Sequence, residues 1–183
     1  VIHFLTGWKR SLEELHRAFN AVLSPDIAIK EMTVAMPDFH ARFSAVTRAY
    51  RYTILNQPVR SPLEALYAYH YEHHLDAAAM GQALECLVGT HDFASFGQPT
   101  QGESTLRDVL RASCSREGNH IHIDLTANAF LRHMARAIVG TLLLVGRGVL
   151  HAEDMKAILA AKDRSQAGPP AQAHGLCLVR VNY

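Results

Sequence analysis

Residues His120 to Ala127 read HIHIDLTA, and no stretch of the chain leaves fewer conformational options. Apolar side chains at Ile121, Ile123, Leu125 and Ala127 alternate without a break with polar ones at His120, His122, Asp124 and Thr126. A two-residue period sends successive side chains to opposite sides of an extended backbone, so the segment predicts a half-buried strand. Its register is strongly specified, since a one-residue slip would turn every apolar side chain to water. Leu106 to Ser115 reads as another strand, and Arg116-Glu117-Gly118-Asn119 between them has turn composition. A hairpin follows, and with it an antiparallel sheet.

The rest of the chain mixes strands with helices. Ser11 and Glu14 form a capping box, after which Leu12, Leu15, Phe19, Val22 and Leu23 keep helical spacing until Ser24-Pro25-Asp26. Val1 to Phe4 reads as the end of a strand, and Ile27 to Val34 as a further one. A strand is expected over Arg48 to Leu55, stopped by Asn56-Gln57-Pro58, with Val59 to Tyr71 as a connection. Asp76 caps a helix whose stripe is Met80, Ala83, Leu84, Leu87 and Val88 and which Gly89 closes. Thr90 to Phe96 and Gly97 to Ser104 read as loop. Helices are expected over Leu131 to Leu144, with Met134, Ile138 and Leu142 on the apolar side, and over Ala152 to Lys162. Ser165 to Gly175 reads as a loop and Leu176 to Tyr183 as a last strand. The fold class this predicts is α+β, with a mostly antiparallel sheet flanked by helices.

Totals exclude several classes of protein. With 183 residues, 49% hydrophobic and 19% charged, the chain has enough apolar surface for a sizeable core. Its longest apolar run, Ala135 to Val145, is broken by Arg136 and too short to span a bilayer, so no membrane segment is expected. The start VIHFLTGWKR is not built like a signal peptide and lacks an initiating Met, so the chain is expected to begin inside something longer or processed. Cys86, Cys114 and Cys177 are scattered with no CxxC spacing, which fits a reducing compartment. A net charge of +1 argues against binding nucleic acid by bulk charge. Yet 14 of the 18 basic residues are arginines, whose planar fork matches phosphate and stacks on rings.

Arginines and aromatic rings alternate most densely in Phe39 to Tyr52, FHARFSAVTRAYRY. On a strand, Arg48, Tyr50, Tyr52 and Ile54 share one face, where a cation and two rings suit a nucleotide taken out of its helix. An ordinary half-buried strand with rings on the core and arginines in water accounts for the same pattern. Arg136 is the second informative position. A guanidinium amid Met134, Ala135, Ala137, Ile138 and Val139 cannot shed its charge and needs a carboxylate or phosphate nearby. Arg132 lies one turn back and Gly140 one turn on, where another backbone can approach. The structural alternative is an Arg136 that reaches water or pairs with Asp124. His70, His73 and His74 lack companions at a metal-binding spacing, and no metal is expected. His91, Asp92 and Ser95 have the residue types of a nucleophilic site but sit too close in sequence to line up as one. No glycine-rich phosphate loop is present.

Taken in order, Val1-Ile2-His3-Phe4, Phe39-His40-Ala41-Arg42-Phe43-Ser44-Ala45, Arg48-Ala49-Tyr50-Arg51-Tyr52, Gly89 to Phe96, Asn128 to Met134, Arg136-Ala137-Ile138-Val139-Gly140 and Gly175-Leu176 resemble the tRNA pseudouridine synthase A (TruA) family. The resemblance covers nearly the whole chain, with departures at Ala135 and over Gly168 to His174. It implies an enzyme that converts uridines of the tRNA anticodon arm to pseudouridine without cofactor or metal. In that family the nucleophile is the aspartate of a Gly-Arg-Thr-Asp stretch placed shortly before the segment matched by Val1 to Phe4, and none of the aspartates here stands in such a context. Residues 1–183 are therefore expected to be the carboxy-terminal, larger part of such an enzyme, inactive alone. By the same resemblance Tyr50 stacks on the flipped base and assists proton removal from C5, while Arg136 pairs with the aspartate. Phe39, His40, Arg42 and Arg48 line the RNA path, with Arg132 and His133 beside it. A cytoplasmic homodimer with tRNA across both subunits is implied. A non-catalytic RNA-binding module of the same fold is the rival reading.

Overall fold

The computed structural model describes residues 1–99 and 102–183. The chain divides into two compact units, Val1–Ala45 and Val46–Tyr183.

The first unit has one regular element, helix α1 (Leu12–Val22). Both halves of the predicted capping box are made: Ser11 Oγ accepts the Glu14 N–H at 3.2 Å, and the Glu14 carboxylate accepts the Ser11 N–H at 3.1 Å. Strands were expected over Val1 to Phe4 and Ile27 to Val34, and neither forms. A strand is completed by a neighbour's hydrogen bonds, and neither segment is paired in the unit, so composition alone does not extend into a ladder. Asn20 instead holds Ile29 by its backbone on both sides, accepting its N–H at 2.8 Å and donating to its carbonyl at 3.0 Å.

The second unit is built on strand β1 (Thr47–Asn56), one residue longer at each end than its pattern predicts. One edge of β1 pairs antiparallel with β5 (His120–Ala127). The other edge is shared: Thr47 to Tyr52 pair antiparallel with β6 (Leu176–Asn182), and Ile54 to Asn56 pair parallel with the short β2 (Tyr69–Tyr71). Strand β4 (Leu106–Glu117) joins β5 through the expected hairpin, whose Gly118 has φ +58 in the region that glycine enters freely. Strand β3 (Gly89–Asp92) completes the order β2-β1-β5-β4-β3. The sheet is mostly antiparallel, as predicted, with one parallel pair.

Two predictions of irregular chain are corrected here. Tyr69–Tyr71 was read as connection, and Gly89 as a helix stop with Thr90 to Asp92 as loop, but Tyr69–Tyr71 and Gly89–Asp92 are each a strand. Both are too short to show a period, and each forms because a longer strand presents an open edge beside it. Of the loop predicted over 97–104, Thr100 and Gln101 lie outside the described residues.

Along β5, burial follows the sequence without exception: Ile121, Ile123, Leu125 and Ala127 are buried and the residues between them half-buried. The buried face takes helices α2 (Ala77–Glu85), α3 (Met134–Gly146) and α4 (Asp154–Ala161). Each large apolar side chain so buried contributes about 1.5–3 kcal/mol. Helix α2 is capped by Asp76 as expected but ends at Glu85, ahead of the predicted stop at Gly89. Helix α3 starts three residues later than predicted because His133 has φ 66, a left-handed conformation that a right-handed helix excludes. The loop before β6 contains two single 3₁₀ turns, Arg164–Gln166 and Ala173–Gly175.

Candidate active site

Tyr50 lies at the middle of β1, between Leu125 of β5 and Leu178 of β6, half-buried. Pairing with β6 shifts register between Ala49 and Tyr50, a bulge that bends the sheet beside the ring. The Tyr50 ring meets Phe130 edge to face, centroids 4.9 Å apart at 83°. Phe130 belongs to the segment that leads from β5 into α3, and Asn128 fixes that segment. Its backbone N–H donates to Asp108 at 3.0 Å, and its side-chain oxygen accepts the Asp108 N–H at 3.1 Å and the Ala129 N–H at 2.7 Å. Arg48 Nη1 donates to the Asn128 carbonyl at 2.7 Å, so the arginine and the tyrosine of the predicted face both address the same turn. Neither Asn128 nor Phe130 was singled out as a site residue from sequence. An asparagine directly after a finished alternation is a turn signal that points to this position.

The same turn presents Arg132 and His133. The Arg132 N–H donates to the Gln98 carbonyl at 2.9 Å, and both side chains are exposed just ahead of α3. Arg132 was expected one helical turn before Arg136; it stands outside the helix instead. Arg136 is half-buried in the first turn of α3. Its Nε donates to the Ala171 carbonyl at 2.7 Å, and its own carbonyl accepts the Ala171 N–H at 2.9 Å. No ion pair is made by Arg136 among the described residues. The structural alternative of an Arg136–Asp124 pair is excluded, because Asp124 receives two bonds from Arg51, at 2.8 and 2.9 Å, on the opposite face of the sheet. Cross-strand register puts Arg51 and Asp124 side by side, and a bidentate neighbour outcompetes a distant one.

Gly140 serves as its sequence context suggests. A Cβ there would lie 1.7 Å from the Pro169 carbonyl oxygen, so only glycine admits the 168–171 loop this close to α3. Beneath the loop, Tyr52 is 1% exposed and its hydroxyl donates to the Gln172 carbonyl at 2.8 Å. Burial pushes its phenol far above the usual tyrosine range, the neighbouring Tyr69 adds to the rise, and the charge of Arg136 opposes it. Arg136 and Tyr52 thus bond successive residues of one loop, Ala171 and Gln172.

Phe39, His40 and Arg42 belong to the first unit. There His40 Nδ1 accepts from the Arg42 N–H at 3.1 Å and the Phe43 N–H at 3.3 Å. The His40 ring lies 4.5 Å from that of His3 and 4.4 Å from that of Phe43, and Phe39 meets His3 edge on. Arg42 stacks over Phe43 at 5.6 Å.

Other polar residues singled out from the sequence have structural partners. Ser95 is fully buried and donates to the Ile158 carbonyl at 2.6 Å, His91 bonds the Val88 carbonyl, and Asp92 accepts from Thr105 and Ala94 and pairs with Lys162. His70 bonds the Gln57 carbonyl at 2.8 Å. Among the described residues no helix is long and apolar enough to cross a membrane.

A family profile described as tRNA pseudouridine synthase matches residues 83–183, which contain β4, β5, α3 and Arg136. The whole chain aligns with tRNA pseudouridine synthase A of Aeromonas salmonicida (strain A449) at 46% identity over 184 positions, covering 68% of that protein. The chain belongs to the tRNA pseudouridine synthase family. Relatives from distant bacteria agree: tRNA pseudouridine synthase A of Moorella thermoacetica is 45% identical over 186 positions, with 75% of it covered. That of Chloroflexus aurantiacus (strain ATCC 29366 / DSM 635 / J-10-fl) is 44% identical over 191 positions, with 68% covered. All of this chain is aligned in each of the three. The pseudouridine synthase relatives thus include Tyr50, Arg48 and Arg42 in their alignment, although these precede the profile match.

Proposed function

We propose that the chain is the carboxy-terminal, larger part of a tRNA pseudouridine synthase, an isomerase that converts uridines of the tRNA anticodon arm to pseudouridine. The uridine is flipped out of the stack, a carboxylate from a segment outside this chain attacks the nucleoside, and the detached base turns and rejoins the ribose through C5. The C1′–N1 bond breaks and a C1′–C5 bond forms, the C5 proton leaves to solvent and N1 takes one up, so the composition is unchanged, as an isomerisation requires. Tyr50 stacks on the flipped base and assists removal of the C5 proton. Arg136 holds the attacking carboxylate, while Phe39, His40, Arg42, Arg48, Arg132 and His133 line the RNA path. No cofactor takes part, and the segment alone lacks activity. The complete enzyme is a cytoplasmic homodimer that carries tRNA across both subunits.

The observation that carries this reading is Arg136. A permanently charged group is anchored through Nε in an apolar setting, with its Nη groups given no carboxylate by the described residues. The Tyr50 ring beside Phe130 offers the flat surface such a site needs.

Tritium release from tRNA carrying 5-tritiated uridine tests it in the full-length protein. Arg136→Ala is expected to lower kcat by about 10²–10³-fold. Tyr50→Ala is expected to weaken tRNA binding by about 1–3 kcal/mol if a base stacks on the ring. Unchanged turnover in the first variant, or unchanged affinity and turnover in the second, removes the role assigned to that residue.

A further inference from the structure

Arg136 is held by a loop rather than by its own helix, and the loop is held by a tyrosine that the proposed chemistry does not use. Ala171 grips Arg136 twice, its carbonyl accepting Nε at 2.7 Å and its N–H donating to the Arg136 carbonyl at 2.9 Å. The next residue, Gln172, receives the Tyr52 hydroxyl at 2.8 Å. Upstream, the Gly168 N–H donates to Thr141 Oγ1 at 2.9 Å, and Pro169 fills the space that Gly140 leaves. Downstream, Gly175 passes so close over the Tyr52 ring that a Cβ would sit 2.7 Å from its Cζ. The short backbone between Gly168 and Gly175 is therefore pinned from three sides, and the guanidinium hangs from its middle.

We propose that Tyr52 is a positioning residue for Arg136: its buried hydroxyl fixes the Ala171–Gln172 backbone and so the direction in which the guanidinium offers its Nη groups. This rests on the reading that Arg136 holds the attacking carboxylate. The Tyr52 phenol remains a neutral donor throughout the working pH range, because burial raises its pKa. A bond between uncharged groups inside the core persists where a surface ion pair would be screened. A carboxylate held by a guanidinium must meet it in a narrow geometry, and an error of about 1 Å at a reacting group can cost about 10²-fold in rate.

The test uses the full-length protein and tritium release from tRNA. Tyr52→Phe keeps the ring and removes only the donor, and kcat is expected to fall about tenfold or more with KM within about twofold. A loosened Arg136 lowers the carboxylate's pKa less, so the acid limb of kcat/KM is expected to move to higher pH in this variant. Thr141→Val, nearly isosteric, releases the loop at Gly168 and is expected to reproduce both changes in weaker form, and it carries the test should Tyr52→Phe fail to fold. In an Arg136→Lys background, adding Tyr52→Phe is expected to cost less than about twofold, because the loop acts through Arg136. Wild-type kcat in both loop variants overturns the proposal. So does a kcat loss with an unmoved acid limb that adds in full to Arg136→Lys, which would mark a purely structural bond. If Arg136→Ala itself retains wild-type kcat, the underlying reading fails and takes the proposal with it, an outcome separate from a failure of Tyr52 alone.

Discussion

His122 shows how a single side chain couples the sheet to pH. It lies on the polar face of β5, where burial, then the charge of Arg51, hold its pKa below the usual 6.5 despite nearby Glu117 and Asp124. Unfolding exposes it to water and restores an ordinary histidine that binds a proton more readily. Below about pH 6.5 the unfolded chain therefore takes up more protons than the folded one, and stability falls as pH drops towards the folded-state pKa. His122→Gln is expected to reduce the loss of Tm between pH 7 and pH 5, measured by circular dichroism melts. An equal loss in the variant would mean that other groups carry the acid sensitivity. Arg51 and Asp124 are paired on the same face, which leaves Asp124 bound to its cross-strand neighbour.

At the scale of elements, the contact between α3 and the 168–171 loop depends on the missing side chain of Gly140. Gly140→Ala places a methyl 1.7 Å from a backbone oxygen, which cannot rotate away, and is expected to destabilise the protein by about 1–3 kcal/mol in urea unfolding. Gly81 in α2 is a suitable contrast, since its nearest neighbour would be 3.9 Å from the added methyl. There alanine is expected to stabilise by about 0.5–1 kcal/mol through helix propensity. Equal effects at the two positions would contradict the packing described for α3. Much of this was readable beforehand. The alternation of β5 gave its burial residue by residue, the Ser11/Glu14 spacing gave the start of α1, and Gly140 beside Arg136 announced a close backbone. Strands β2 and β3 were not, because three or four residues cannot display a period and are recruited by a neighbour's edge. Nor was the delayed start of α3, since nothing in the composition of Leu131 to His133 signals a left-handed histidine. The bonds from Ala171 to Arg136 and from Gln172 to Tyr52 join residues far apart in sequence through backbone carbonyls, and a carbonyl leaves no trace in residue type. The roles of the site residues themselves were read from the family's motifs rather than from periodicity.

For the whole molecule, the core lies in Val46–Tyr183, whereas Leu15 is the buried side chain of Val1–Ala45. The larger unit thus holds a sheet packed with helices, and the smaller one a single helix. The curated relatives are longer than the segment they share with this chain, and the proposed function takes its attacking carboxylate from outside that segment. Pseudouridine formation on tRNA by the 183-residue chain and by the full-length encoded protein, compared at equal concentration, tests this most directly. Tritium release is expected from the full-length protein and none above background from the chain alone; turnover by the chain alone would show that its nucleophile is already present among these residues.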